Sequence, residues 1–268
     1  MKKVVLITGA TSGIGKAIAE FLASYGYKVY GTGRNIKNAI ETDELKFLYI
    51  DVRDEITIDK AIDHIIKKEK KIEVLINNAG IGIAGSLEEI PFNEIYNTYE
   101  TNFFGMIRMI KKVTPFMREN GGGLIINISS IAGRIGLPFQ SIYSSSKFAL
   151  ESVTEALSIE LNNFGIKVCM VEPGDYNTNV NQNRVVIKPD ESSPYSKRLK
   201  GFFNLLIKNI NNGRDPSKIN RLILKIIKAK NPKLRYKSGK ILETLTPFVK
   251  FIIPDRMFEK ILMKFYNI

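Results

Sequence analysis

Val4-Val5-Leu6-Ile7-Thr8-Gly9-Ala10-Thr11-Ser12-Gly13-Ile14-Gly15 is the stretch on which the fold turns. Its first four residues form a short, unbroken apolar run of the kind shown by a strand buried on both faces. The run passes straight into glycines spaced G-x-x-x-G-x-G, which open onto the helical segment Ala17 to Ala23. Glycine at 9, 13 and 15 permits positive φ and keeps Cβ atoms out of the path of a pyrophosphate. With Thr11, Ser12 and Ile14 between them, the helix start can then offer its free N–H groups to phosphate oxygens. The same spacing would serve a plain tight turn, so the rest of the chain has to choose between the two.

Further runs of this kind follow at Lys28 to Gly31, Lys46 to Ile50, Glu73 to Ile76, Leu124 to Ile128 and Lys167 to Val171, with helix-length segments between them. Asp54 precedes the helical pattern Ile56 to Lys68, and Pro91 to Met117 and Ser141 to Phe164 read as two long helices. Buried strands alternating with helices imply right-handed crossovers into one sheet. The expected class is therefore α/β, a doubly wound Rossmann-type parallel sheet flanked by helices. The 268 residues suit a single such domain, with 1–178 expected to carry cofactor binding and catalysis and 179–268 a substrate lid and C-terminal helices.

Tyr176 to Pro216 is polar, contains Pro189, Pro194 and Gly213, and reads as the lid. Beyond it Ile219, Leu222, Ile223, Ile226 and Ile227 fall at i, i+3, i+4, i+7 and i+8, with Lys218, Arg221, Lys225 and Lys228 between them. Phe258, Ile261, Leu262 and Phe265 repeat the device, so two basic amphipathic helices flank a last strand near Leu234 to Lys237.

The end of the second strand says which dinucleotide is expected. An NAD site sets an Asp or Glu there for the ribose 2′-OH, whereas a 2′-phosphate calls for Arg. No acidic residue lies between Phe21 and Ile40, and the strand is followed by Gly33-Arg34-Asn35 and Lys37. A guanidinium can pair with a phosphate dianion through two hydrogen bonds, so the expected cofactor is NADP(H).

Composition sets outer limits. With 44% apolar and 25% charged residues the chain is globular rather than disordered. The net charge is +13, yet residues 1–183 carry 20 Lys and Arg against 21 Asp and Glu, while 184–268 carry 20 against 6. A nucleic-acid groove would interleave aromatics with such charges. Here the aromatics of the basic helices fall on the apolar face, and no nucleic-acid partner is expected. The single Cys169 lies in the apolar run Val168 to Val171 and has no internal partner, which fits a reducing, cytoplasmic compartment. The lone His64 has no second histidine near it, so no metal is expected. The run between Lys3 and the glycine loop is too short for the apolar core of a signal peptide. Nothing approaches the ~20 apolar residues of a membrane-spanning helix.

Behind T-G-A-T-S-G-I-G stand, in order, Asp51-Val52, the N-N-A-G of Asn77 to Gly80, Asn102, Ser130, Tyr143, Lys147 and Pro173-Gly174. In that ordered set, over residues 3 to 178, the chain resembles the short-chain dehydrogenase/reductase family. Single elements are cheap: Y-x-x-x-K recurs at Tyr236 to Lys240, and Ser144 with Lys147 forms the S-x-x-K of a Ser–Lys hydrolase. The combination is specific. Tyr143 and Lys147 stand at i and i+4 near a helix start and share a face. Ser130 lies just past the C-terminal end of a strand, the edge where open α/β sheets bind ligands. An ammonium beside a phenol favours the phenolate, so Lys147 is expected to lower the Tyr143 pKa.

The resemblance implies that Tyr143 protonates a carbonyl oxygen during reduction, that Ser130 polarises it, that Lys147 also holds the nicotinamide ribose, and that Asn102 supports a water relay. Ser130 is preferred to Ser129 because the family's serine stands thirteen residues before its tyrosine. It also implies Asp51 and Val52 near the adenine, Asn78, Ala79 and Gly80 beside the adenine ribose, a turn at Pro173-Gly174, and Thr178 near the carboxamide. The tail segments P-K-L-R-Y-K-S-G and I-P-D-R-M-F-E-K-I-L resemble the subgroup acting on steroids, retinoids and other lipophilic alcohols or ketones.

The expected function is thus NADP(H)-dependent reduction of a carbonyl to an alcohol, or the reverse, on a lipophilic substrate such as a steroid, retinoid or fatty-acyl ketone or aldehyde, within lipid metabolism. The alternative is a dinucleotide-sensing or membrane-associated regulatory protein on the same fold. A sensor, however, has no need of the proton donor that Ser130, Tyr143 and Lys147 provide. The basic helices are either a solvated lysine face over ordinary core or a peripheral contact with an anionic membrane. The family commonly assembles through its two long helices, so a homo-dimer or homo-tetramer is expected.

Overall fold

The apolar runs do become strands covered on both sides. The computed structural model describes residues 2–177 and 184–268. Its first half comprises β1 (Val4–Ile7), α1 (Gly13–Ser24), β2 (Lys28–Gly33), β3 (Leu45–Tyr49), α2 (Glu55–Glu69), β4 (Val74–Asn77), β5 (Ile83–Ala84), α3 (Phe92–Tyr99) and α4 (Gly105–Glu119). There follow β6 (Gly123–Ile128), α5 (Ser141–Glu160), β7 (Ile166–Pro173), β8 (Val185–Val186), α6 (Ser196–Asn211), α7 (Asn220–Lys228), β9 (Arg235–Ser238), α8 (Ile241–Ile252) and α9 (Asp255–Tyr266). Seven strands pair in parallel in the order β3-β2-β1-β4-β6-β7-β9. Val5 sits between Val29 of β2 and Val74 of β4, so the chain winds away from β1 in both directions. That is the expected doubly wound α/β fold, and its crevice opens at the C-terminal ends of β1 and β4. α1 and α7 cover one face of the sheet, and α2, α4 and α5 cover the other.

Four elements differ from the sequence reading. Pro91 to Met117 is not one regular helix: a π turn at Glu100–Phe104 separates α3 from α4. The extra residue in that turn lets the buried Asn102 swing onto the Ile81 backbone. α5 ends at Glu160, and a 3-10 turn at Asn162–Phe164 leads to Gly165 at φ +71°. Among its described residues, the stretch that reads as a lid carries regular structure, for β8 pairs with β5, and α6 buries Leu199, Phe202 and Leu206 against Phe139 and Tyr266. The prolines that made this stretch read as loop, Pro189 and Pro194, precede α6 rather than interrupt it. Finally, α8 has no counterpart in the reading, its apolar run being obscured by Pro247 inside the helix.

The basic helix α7 resolves one alternative. Ile219, Ile223, Ile226 and Ile227 are buried beside Ile18 and Leu22 of α1, while Lys218, Arg221, Lys225 and Lys228 face solvent. It is a solvated lysine face over ordinary core. Among the described residues no helix is long and apolar enough to cross a membrane. Removing a core side chain leaves a cavity that the neighbours only partly fill. Ile223→Ala should therefore lower unfolding free energy by about 2–5 kcal/mol in a denaturant titration, while Lys225→Gln should stay within about 0.5 kcal/mol. Comparable small losses from both would remove α7 from the core.

Candidate active site

The glycine loop is held by the strand beside it. The Asn78 Nδ2 donates to the carbonyls of Thr8 and Gly9, each at 3.0 Å, and the Thr8 Oγ1 accepts from the N–H groups of Asn78 and Ala79, also at 3.0 Å. Gly9 and Gly13 take φ of +65° and +57°. Gly15 does not, which corrects the expectation of positive φ at all three. It is glycine because a Cβ there would collide with the Gly9 carbonyl and the Asn78 amide. Ser12 stands at the N-cap of α1 in extended backbone with its side chain uncommitted, and no acidic residue occupies the first turn. The N–H groups beyond Thr11, Ser12, Gly13 and Ile14 are thus left for an anion.

At the neighbouring strand ends Gly33 packs so closely on Thr11 that a Cβ would lie 2.8 Å from its Cγ2. Arg34 follows, exposed to solvent. Its charge reaches Asp51, whose carboxyl is held below its usual range chiefly by Arg53. Arg53 donates through Nη2 at 2.6 Å and through Nε at 3.0 and 3.2 Å. Arg53 escaped the sequence reading although its spacing from Asp51 could have flagged it. Val52 is buried against Gly105.

Tyr143 and Lys147 do share a face of α5. The Lys147 Nζ lies 5.9 Å from the centre of the Tyr143 ring and donates to the Ile128 carbonyl at 2.9 Å. Ser130, in extended backbone just past β6, caps a 3-10 turn by accepting from the Ala132 N–H at 3.1 Å and lies near enough to Tyr143 to bear on its pKa. The Ser129 hydroxyl is buried beside Gly133, without a partner among the described residues. Gly80 brings the N-N-A-G turn to the same point, where a Cβ would stand 3.3 Å from the Asn102 Oδ1 and 3.6 Å from the Lys147 Nζ.

Asn102 is wholly buried, and its amide is heavily engaged. Its Oδ1 accepts from the Ile81 N–H at 2.8 Å, and its Nδ2 donates to the Ile81 carbonyl at 2.9 Å and the Ser146 Oγ at 3.1 Å. Ser146, which the sequence reading did not single out, passes its proton to the Tyr143 carbonyl at 2.7 Å and so ties the π turn to the catalytic helix. The turn at Pro173-Gly174 is pinned by the Gly174 N–H donating to the Ser238 carbonyl at 2.8 Å. Thr178 lies outside the described residues.

The electrostatics correct one expectation. Burial raises the Tyr143 pKa, and the groups that oppose it are Ser130 and then Arg184, not Lys147. Lys147 is itself pushed down to about 8 by burial, with Glu151 one turn away resisting. Two groups missed by the sequence reading thus bear on the proton donor. Arg184 had no local signal, because the residues around it are far away in the chain.

In the roles that the resemblance implies, reduction would need Tyr143 protonated and Lys147 charged. Since the Tyr143 value lies above its ordinary one and that of Lys147 is about 8, both forms prevail below pH 8, and the lysine charge is lost first as pH rises. The kcat/KM for ketone reduction should therefore be level below that point and fall above it. A level profile through the alkaline range would exclude Lys147 as an essential cation.

A model of the short chain dehydrogenase family matches residues 3–186. The chain is 41% identical over 267 residues to a 3-ketodihydrosphingosine reductase of Bacteroides thetaiotaomicron, covering 99% of this chain and 98% of that one. It is 31% identical to human 17-beta-hydroxysteroid dehydrogenase type 1, over 88% of this chain and 77% of that one. Among solved structures, a short-chain dehydrogenase from Streptomyces avermitilis superimposes with a TM-score of 0.83 at 32% identity, covering 97% of each chain.

Proposed function

The chain belongs to the short-chain dehydrogenase/reductase family, and on that premise we propose that it is an NADP(H)-dependent oxidoreductase that interconverts a ketone and an alcohol on a long-chain lipophilic substrate. The observation that carries this reading is the placing of the Lys147 ammonium 5.9 Å from the centre of the Tyr143 ring and bonded to the Ile128 carbonyl, at the strand edge where Ser130 also lies. The cofactor would lie from Gly9, Thr11, Ser12, Gly13, Ile14 and Gly15, past Asp51, Val52, Asn78, Ala79 and Gly80, to Tyr143, Lys147 and the Pro173-Gly174 turn. Arg34, with Arg53 near it, would take the 2′-phosphate. NADPH bound there supplies the hydride.

The chain's own part is protonic. Ser130 hydrogen-bonds the substrate oxygen and holds it beside Tyr143. Tyr143 delivers its proton to that oxygen as the carbon becomes an alcohol, so the phenolate left behind needs a nearby cation and a replacement proton. Lys147 supplies the charge, and the Asn102 turn supports a relay of water to bulk. Residues 1–178 hold this machinery, and 179–268 shape the substrate end. The name of the Bacteroides relative makes 3-ketodihydrosphingosine the first ketone to try.

With NADPH, purified protein should consume long-chain ketones faster than with NADH. Arg34→Asp should erode the preference for NADPH, and Tyr143→Phe should abolish turnover while NADPH still binds. Ample turnover by the Tyr143 variant, or equal use of both nucleotides by the wild type, would overturn the corresponding assignment.

Two features of the surface support the proposed partners. Phe92, Tyr96, Phe104, Phe148 and Ile159 lie exposed along α3, the π turn and α5, as a homo-dimer or homo-tetramer built on these helices would require. α8 exposes Leu242 at 81% and Phe251 at 89%, and Lys240, Lys250, Arg256 and Lys260 lie on or beside α8 and α9. Apolar side chains rimmed by lysine and arginine suit the interface of an anionic bilayer. The protein should sediment with phosphatidylglycerol vesicles at physiological salt and lose that binding as Leu242→Asn/Phe251→Asn; a wild type left in the supernatant would refute the membrane contact.

A further inference from the structure

Arg184 sits at the edge of the catalytic machinery with surroundings that suit a ligand better than a fold. The pairing of β8 with β5 sets Val185 opposite Ile83, and the Val185 N–H donates to the Gly82 carbonyl at 2.9 Å. This carries Arg184 over Gly82, two residues past Gly80. Glycine leaves room there, for a Cβ on residue 82 would stand 3.1 Å from the Arg184 Cζ. An Nη of Arg184 donates to the Gln140 Oε1 at 2.9 Å. Gln140 is itself buried at the N-cap of α5, three residues ahead of Tyr143. The Arg184 Nε is shut off from solvent and finds no acceptor among the described residues. Burial pushes the guanidinium below its ordinary value, while Tyr143, Asp175 and Tyr266 pull it the other way. An unmade hydrogen bond from a buried charged group is costly, because the group has given up water and gained no partner in return. β8 gains nothing for that cost, since it pairs through its backbone.

We infer that Arg184 is a specificity-determining residue that hydrogen-bonds an oxygen substituent near the reacting carbonyl, so that the substrate class is an oxygen-bearing amphiphilic ketone rather than a plain one. This rests on the carbonyl-reductase reading above. The Tyr143 hydroxyl and the Arg184 guanidinium are near enough to feel each other's charge, so an oxygen held by Arg184 falls near the one that Tyr143 would protonate.

The test compares wild type and Arg184→Met, both with NADPH, on 1-hydroxydecan-3-one, 3-oxodecanoate and decan-3-one. The wild type should favour one of the two oxygen-bearing ketones, which tells hydroxyl from carboxylate. The variant should lose roughly tenfold to a hundredfold in kcat/KM on that ketone, mainly in KM, a loss of the size expected for one charge-assisted hydrogen bond. On decan-3-one, which reads any effect passing through Tyr143 alone, the loss should be several-fold smaller. Equal losses on all three ketones, or none, would overturn the inference. Should the wild type reduce no ketone at all, the carbonyl-reductase reading is what fails. Calorimetric binding of the same three compounds to the NADP⁺-loaded proteins then decides Arg184: a wild-type preference for an oxygen-bearing compound that disappears in Arg184→Met upholds its role, and no preference in the wild type ends it.

Discussion

The site depends on one close approach, that of the Gly9 carbonyl and the Asn78 amide to the bare Cα of Gly15. Because no Cβ intervenes, the first turn of α1 settles against the loop that precedes it, and Asn78 can bond two successive carbonyls of that loop. Thr8 returns the favour to the backbone of β4's extension. The ends of β1 and β4 are thereby joined at the point where the winding of the sheet reverses. The same joint sets Gly80 against Asn102 and Lys147. The helix start behind the glycine loop and the Tyr143–Lys147 pair would otherwise be independent local features; here the same joint positions both.

Much of this was legible because it is written in short-range pattern. Strand runs such as Val4 to Ile7 differ from their observed bounds by at most a residue or two, since an unbroken apolar run has no alternative placement in a two-layered core. Helical spacing put Tyr143 and Lys147 on one face, but it took the ordered set of motifs to choose that pair over Tyr236 and Lys240. What stayed hidden depends on contacts between distant segments. The π turn exists because Ile81 offers a backbone pair to Asn102, which no pattern within residues 91–117 announces. The engagement of Asp51 by Arg53 was close in sequence yet needed the loop conformation to be seen. The upward shift of Tyr143 is a burial effect, and an argument from the charge of Lys147 alone leaves burial out.

The C-terminal third shows why charge pattern does not by itself identify a partner surface. α7 and α9 carry the same alternation of lysine and apolar residues, yet α7 spends its apolar face entirely on α1 and the sheet. α9 spends only part, burying Phe258 and Tyr266 while Ile261 and Phe265 remain open. α8, with few charges, leaves most of its apolar side chains in solvent. The distinguishing quantity is apolar area left over after packing, and that is a tertiary property.

That third also reaches the chemistry through an ion network. The Nε of Arg235 on β9 donates to Glu151 of α5 at 3.1 Å and stands 3.4 Å from Glu172 of β7, which Arg134 approaches at 3.6 Å. Glu172 is fully buried, and burial, with Glu151 adding to it, raises its pKa to about 7. Glu151 is one turn beyond Lys147 and is the group that resists the loss of the lysine's charge. Arg235 thus stands between two carboxylates that would otherwise face each other unscreened at the back of α5. The strand that closes the sheet is tied through this one arginine to the helix that carries Tyr143 and Lys147, so the C-terminal third helps to fix where that helix lies.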